Sequence, residues 1–163
     1  MEEEKKIVTE VNTDDFSVSE IKADVSEYPD FSPGKIDIST DGTIILSSGT
    51  ELLLIDNDGN IINHFAFNNY EEHIYDITAA GSGYALLKRT PEDTKLYYAE
   101  NISSEPEMLE LEIKNISGFA NTFDKMNLYM VTSEGVLKYS LADKTSSFIL
   151  KWADSEISAS PSG

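Results

Sequence analysis

The chain has 163 residues, no cysteine and a formal net charge of −18. That length fits one domain, and the missing thiols exclude disulfides, thiolate metal ligands and a cysteine nucleophile. An acidic field repels phosphate, which argues against nucleic acid and anionic lipid as partners.

The charge is graded along the chain. Residues 1–34 hold ten acids and three bases, residues 35–73 seven and one, residues 74–114 eight and four, and residues 115–163 five and four. Hydrophobic residues make up 40%, enough for a core. No apolar run reaches the roughly 18 residues of a membrane-spanning helix, so membrane insertion is not expected. The opening MEEEKKIV is charged and lacks the apolar region of a signal peptide. An exported protein would carry its targeting segment outside these residues.

In chain order, residues 1–34 read as a linker with a short strand near 6–11 and a lone strand over 16–21. Pro29, Pro33 and Gly34 mark a loop. Residues 35–67 then read as four short strands. Ile36 and Ile38 alternate with polar residues, and Asp41-Gly42 predicts a two-residue hairpin turn. The run 43–47 is rich in β-branched residues, and Ser48-Gly49 turns the chain again. Leu52 to Ile55 is continuously apolar, as in a strand buried on both faces. Asp56-Asn57-Asp58-Gly59 makes the third turn, and the fourth strand covers 61–67.

A second unit spans 73–113, with predicted strands at 74–79, 84–88, 94–99 and 108–113. A third spans 115–152, with strands at 116–120, 127–132, 136–140 and 146–152. Residues 153–163 read as a small, polar tail. The units superimpose by pattern. Asp37-Ile38 matches Asp76-Ile77, and Ile44-Ile45-Leu46 matches Ala85-Leu86-Leu87. Leu53-Leu54-Ile55 matches Leu96-Tyr97-Tyr98 and then Leu137-Lys138-Tyr139. A period of about 40 residues with four strands per unit is the mark of propeller blades; a β-sandwich or meander shares the regular strand spacing without the repeat. The expected fold is therefore all-β, with about three four-stranded propeller-like blades at 35–67, 73–113 and 115–152.

The run DISTDGTIILSSGTELLLIDNDGNIINHF resembles a blade of the β-propeller superfamily in the style of NHL or YVTN repeats. Those blades read as a strand, an Asp-Gly turn, an apolar strand, a second apolar strand ending in D-x-D-G, and a strand leaving that turn. The second unit has Gly81-Ser82-Gly83 in place of the Asp-Gly turn, and the third lacks D-x-D-G. Propellers close with four to eight blades, so three blades imply a fragment of a larger ring, a ring completed by another copy, or tails that cover the open flanks.

Chemical signatures are sparse. The Asp56–Asn60 stretch has Leu54 where an EF-hand needs its first ligand, so it reads as a turn. His64 and His73, the chain's two histidines, do not supply a zinc ligand set, even with Glu71 and Glu72 nearby. There is no G-x-S-x-G, G-x-G-x-x-G or Walker loop. The matches to the N-glycosylation sequon at Asn101 and Asn115 carry no weight in a bacterial protein. In propellers, ligands gather at the central funnel lined by first strands. The resemblance therefore implies ligand-binding roles for Asp37, His73, Tyr75 and Asp76. With eight tyrosines and abundant acids, the expected function is a non-catalytic binding module of a bacterial cell-surface or secreted protein. It would engage a protein or a glycan, without metal or cofactor, and with self-association as a means of completing the ring. The alternative is a fragment of a propeller-fold carbohydrate-active hydrolase or lyase.

Overall fold

The computed structural model describes residues 5–15, 17–67, 71–113, 115–122 and 124–153, with side chains from residue 8 onward. Phe16, Tyr70 and most of the predicted tail, residues 154–163, lie outside the described residues. Strands β1 (Lys5–Val11) and β2 (Val18–Asp24) pair as an antiparallel hairpin. The first four-stranded sheet contains β3 (Lys35–Ile38), β4 (Ile44–Ser47), β5 (Glu51–Ile55) and β6 (Ile61–Ala66). The second contains β7 (His73–Ala80), β8 (Gly83–Arg89), β9 (Thr94–Ala99) and β10 (Glu107–Met108). The third contains β11 (Gly118–Asn121), β12 (Asn127–Val131), β13 (Gly135–Ser140) and β14 (Thr145–Lys151). Each sheet is an antiparallel meander in chain order, and the described residues contain no helix.

The side-chain period of two decides how the sheets stack. On the first sheet, Ile45, Leu52 and Leu54 face the second sheet and pack on Ile77, Tyr84 and Leu86. The alternate set, Ile44, Leu46, Leu53 and Ile55, faces the other way and packs on Ala23, Val25 and Phe31. The second sheet repeats the device: Ala85, Leu87 and Leu96 meet Leu128, Met130 and Leu137 of the third. Leu52 to Ile55 are all fully buried, each stabilising the fold by about 1.5–3 kcal/mol relative to exposure. A strand buried on both faces has no room for a polar alternate, which is why this run is continuously apolar.

Several expectations need correction. The lone strand at 16–21 is one arm of the β1–β2 hairpin, which with Phe31 covers the flank of the first sheet. Asp41-Gly42 does not form a two-residue turn. The loop runs from Ser39 to Thr43, closed by the Ser39 N–H donating to the Thr43 carbonyl at 2.9 Å, while the Asp41 carboxylate accepts from Ser39 Oγ and the Thr43 N–H. The predicted strand 108–113 pairs only at Glu107 and Met108. The Leu109 N–H still donates to the Leu96 carbonyl of β9 at 2.8 Å, and beyond it Leu111 and Ile113 satisfy their apolar pattern by packing against the second and third sheets. The repeat match is one residue out in the second unit. Ile45 looks from the first sheet toward the second, whereas Leu86, its sequence match, looks back toward the first. A slip of one residue flips every side chain.

The Asp56–Asn60 turn is structural, as expected. Asp56 accepts from the N–H groups of Asp58 and Asn60 and from Asn60 Nδ2, all within 2.9 Å. Gly59 has φ +88°, and a Cβ there would lie 2.3 Å from the Lys22 carbonyl oxygen, so glycine lets the turn abut the hairpin.

Replacing Phe31, 1% exposed, by alanine is expected to destabilise the fold by about 3–5 kcal/mol in urea titrations, because it leaves a cavity under the hairpin. A second expectation concerns acid. Hydrogen bonds from Ser39 and then Thr43 hold the Asp41 carboxyl below its usual range. A depressed folded pKa means the native state binds fewer protons, so this contribution is present at neutral pH. It fades as pH falls below about 4, the unfolded value. The difference in urea midpoint between the natural chain and Asp41→Ala should therefore be full at neutral pH and narrow on acidification below that point.

Candidate functional site

The first strands β3, β7 and β11 lie side by side, and one polar network ties them together. Asp37 Oδ2 on β3 accepts from Thr78 Oγ1 at 2.9 Å and from the Ala79 N–H at 2.7 Å, both on β7. From the other side, Asn121 on β11 donates through Nδ2 to Thr78 Oγ1 at 2.6 Å and to the Ala79 carbonyl. Lys125 Nζ stands 3.9 Å from Asp37 Oδ1, and the Lys125 carbonyl accepts from the Gly81 N–H. Each polar group has a partner within the protein, so the network reads as a clamp between blades.

The four residues predicted from sequence divide. Asp37 belongs to this clamp. His73, Tyr75 and Asp76 lie toward the opposite end of β7; His73 is five residues from Thr78, about 16 Å along an extended strand. His73 is exposed and lies beside Gly49. The Tyr75 ring is covered by the Arg89 guanidinium, 3.8 Å from its centroid. Asp76 accepts from the Ile77 N–H, as Asp37 does from that of Ile38, but among the described residues it makes no link to the next first strand like that of Asp37. The four do not converge on one site.

Two features were missed in the sequence. The first is Lys88, 6% exposed between the first and second sheets. Its ammonium lies 3.7 Å from the Phe67 ring centroid and 4.2 Å from that of Tyr97, with Glu72 at 3.9 Å. Burial lowers its proton affinity, and Glu72 opposes the shift. The second is a cleft of about 400 Å³ between the second and third sheets. Tyr98 on β9 and Tyr139 on β13 form its walls, Leu109 and Leu141 its apolar floor, and Glu100, Glu105 and Lys144 its rim. Lys144 Nζ donates to Glu100 Oε1 at 3.0 Å, which holds the lysine above its usual pKa. Burial, then Glu100, pushes the Tyr98 hydroxyl up. The sequence match set Tyr98 against Tyr139, but the ladders make Tyr97 the equivalent of Tyr139, so the facing of Tyr98 toward Tyr139 was not visible in the repeat. Among the described residues no group of histidines and acids is placed to hold a metal.

No family model and no curated protein matches the chain. Among solved structures, the dihydro-heme d1 dehydrogenase NirN in complex with DHE superimposes with a TM-score of 0.56 at 14% identity, over 90% of this chain and 32% of that one. A streptogramin B lyase superimposes with a TM-score of 0.55 at 16% identity, over 86% of this chain and 46% of that one. Both are β-propeller proteins with sheets of four antiparallel strands. The sheets described above are β-propeller blades. The chain spans about a third of the first propeller and just under half of the second.

Asp37→Ala removes the acceptor for the Ala79 N–H and breaks the link between the first two blades. It is expected to cost about 1–3 kcal/mol in urea titrations, and Asp37→Asn, which keeps one acceptor oxygen, less.

Proposed function

We propose that these blades form a non-catalytic interaction module of a bacterial cell-surface or secreted protein, engaging a protein or a glycan. The observation that carries this reading is the cleft between the second and third blades. It joins two tyrosine walls to an acidic rim, and aromatic surface beside charge is typical of recognition sites. Glu100 and Glu105 are exposed, and Glu100 is held by Lys144, an arrangement suited to meeting a cation. The net charge of −18 favours a basic partner by drawing it in over long range. The absence of cysteine and the acidic surface fit the proposed cell-surface setting.

The test is a panel of purified basic and acidic proteins together with a glycan array, read with and without EDTA. Saturable binding that persists in EDTA and leaves the ligand chemically unchanged by mass spectrometry is the expected result. For a basic protein ligand, affinity should fall as salt rises from about 50 mM to about 300 mM. Conversion of the ligand to a new product would overturn the non-catalytic reading, and a panel without saturable binding would overturn the interaction module.

A further inference from the structure

The two wedges between neighbouring blades share a tyrosine on the third strand and differ in the residue of the second strand beside it, Lys88 in the first and the fully buried Met130 in the second. In the first, Tyr97 on β9 faces back toward the preceding sheet and covers the Lys88 ammonium, with Phe67 and Glu72 completing the enclosure. In the second, Tyr139 on β13 takes the place of Tyr97: it too lies on the third strand and faces back toward the preceding sheet. The ladders fix the equivalence. Tyr97 pairs with Leu86, and Tyr139 pairs with Leu128. Lys88, two residues beyond Leu86, therefore corresponds to Met130, two residues beyond Leu128. The second wedge has the tyrosine and the carboxylates but no lysine of its own at that position.

Resting on the reading of this chain as an interaction module, we propose that the cleft between the second and third blades takes the ammonium head of a lysine side chain from a protein partner. Tyr139 is only 7% exposed, yet its hydroxyl has no hydrogen-bond partner among the described residues. By contrast, the buried Tyr84 hydroxyl donates to the Ser104 carbonyl at 2.9 Å. No fully enclosed side-chain oxygen is left unpaired among the described residues, so the Tyr139 oxygen opens to the cleft, where a ligand can reach it. The Tyr98 hydroxyl, beside Gly81, is likewise unpaired among the described residues.

The rim shows which head group fits. Glu100 already holds an ammonium, that of Lys144, and the two side chains are 70% and 69% exposed, so an incoming lysine can exchange with the resident one. Glu105 supplies a second carboxylate on the same cleft. Leu109 and Leu141 offer apolar contact for a four-carbon stem, which lysine buries readily while its head stays polar. An amino sugar shares the ammonium, but its hydroxyls would meet this apolar floor.

The experiment titrates the full chain, followed by NMR, with three probes: a blocked pentapeptide carrying one central lysine between glycine and serine residues, the same peptide with Nε-acetyl-lysine, and a glucosamine trimer. The lysine peptide is expected to shift the Tyr98, Tyr139 and Leu109 signals, and acetylation to abolish the effect. Glu105→Gln and Tyr139→Phe should each weaken binding about ten-fold, because each removes a charge-assisted contact. Lys144→Ala should tighten it about three-fold or more, since it frees Glu100 and removes a like charge. That gain is a result a merely structural lysine would not give. If Tyr139→Phe fails to fold, the exposed rim variants Glu105→Gln and Lys144→Ala decide the matter. Shifts confined to other surfaces, equal binding of the acetylated peptide, or no change in both rim variants would overturn the assignment and leave the interaction module standing. A cleft response to the glucosamine trimer alone would overturn lysine in favour of an amino sugar. Silence with all three probes would overturn the cleft, while the protein and glycan panel decides separately on the module.

Discussion

The first and second four-stranded sheets bury apolar side chains on both faces, and the stacking of the fold answers that constraint. A sheet with one apolar face can rest on a single layer and turn its other face to water. Here Ile44 and Leu46 alternate with Ile45, and Leu53 and Ile55 with Leu52 and Leu54, all deeply buried. The first sheet therefore needs neighbours on both sides. The second sheet supplies one and the β1–β2 hairpin, with Val25 and Phe31, supplies the other. The hairpin acts as a cover although it has only two strands, because Gly59 lets the Asp56–Asn60 turn press directly onto the backbone of β2.

The same stacking creates the cleft. The sheets approach most closely at their first strands, where Asp37, Thr78 and Asn121 link β3, β7 and β11. Stacked, twisted sheets that are pinned along one edge diverge toward the other. Large side chains must fill the wedge that opens at the outer strands. Between the first and second sheets Phe65, Phe67, Tyr97 and the Lys88 stem do so. Between the second and third, the segment after β10 supplies Leu109, Leu111 and Ile113, yet the tyrosine-walled space beside Leu109 stays open. Tight clamping at the first strands and an open wedge further out are thus two aspects of one geometry. The clamp accounts for Asp37 as a structural residue, and the wedge accounts for a site away from the first strands.

Strand positions were legible in the sequence because turn chemistry is local. Asp-Gly, Ser-Gly and Asp-Asn-Asp-Gly announce themselves, and the apolar runs between them match the observed strands within a few residues. What depends on distant partners was not legible. Nothing within residues 1–24 says that its two strands pair with each other and then cover Leu53. The stretch 108–113 alternates as a strand should, but alternation reports which side is buried, not whether a ladder forms. The one-residue error in matching the second unit has a similar origin. Leu86 and Ile45 are both apolar and both buried, so hydropathy alone cannot tell which neighbour each one faces. The predicted group of Asp37, His73, Tyr75 and Asp76 followed from placing all first-strand residues at one funnel. Asp37 stands on β3 against Thr78 and Ala79, whereas His73, Tyr75 and Asp76 lie earlier along β7, so the run of β7 itself separates them.

The acidity of the chain is in part a by-product of the same architecture. A fold made of short strands needs a turn every few residues, and each tight turn leaves backbone N–H groups without ladder partners. Aspartate is a compact acceptor for such groups. Asp15 accepts from the Ser17 N–H, Asp41 from that of Thr43, Asp56 from those of Asp58 and Asn60, and Asp124 from that of Met126. All four carboxyls are held below their usual range, first by side-chain hydrogen bonds from Ser17, Ser39, Asn60 and Thr122 in turn. These acids close turns and remain charged down to lower pH than free aspartate. The glutamates on the cleft rim are of a different kind. Among the described residues Glu105 caps no turn, and the one partner of Glu100 there is the exposed Lys144. These four turn aspartates are a minor share of the chain's 30 acids, and the rim glutamates add a local acidity of a different origin.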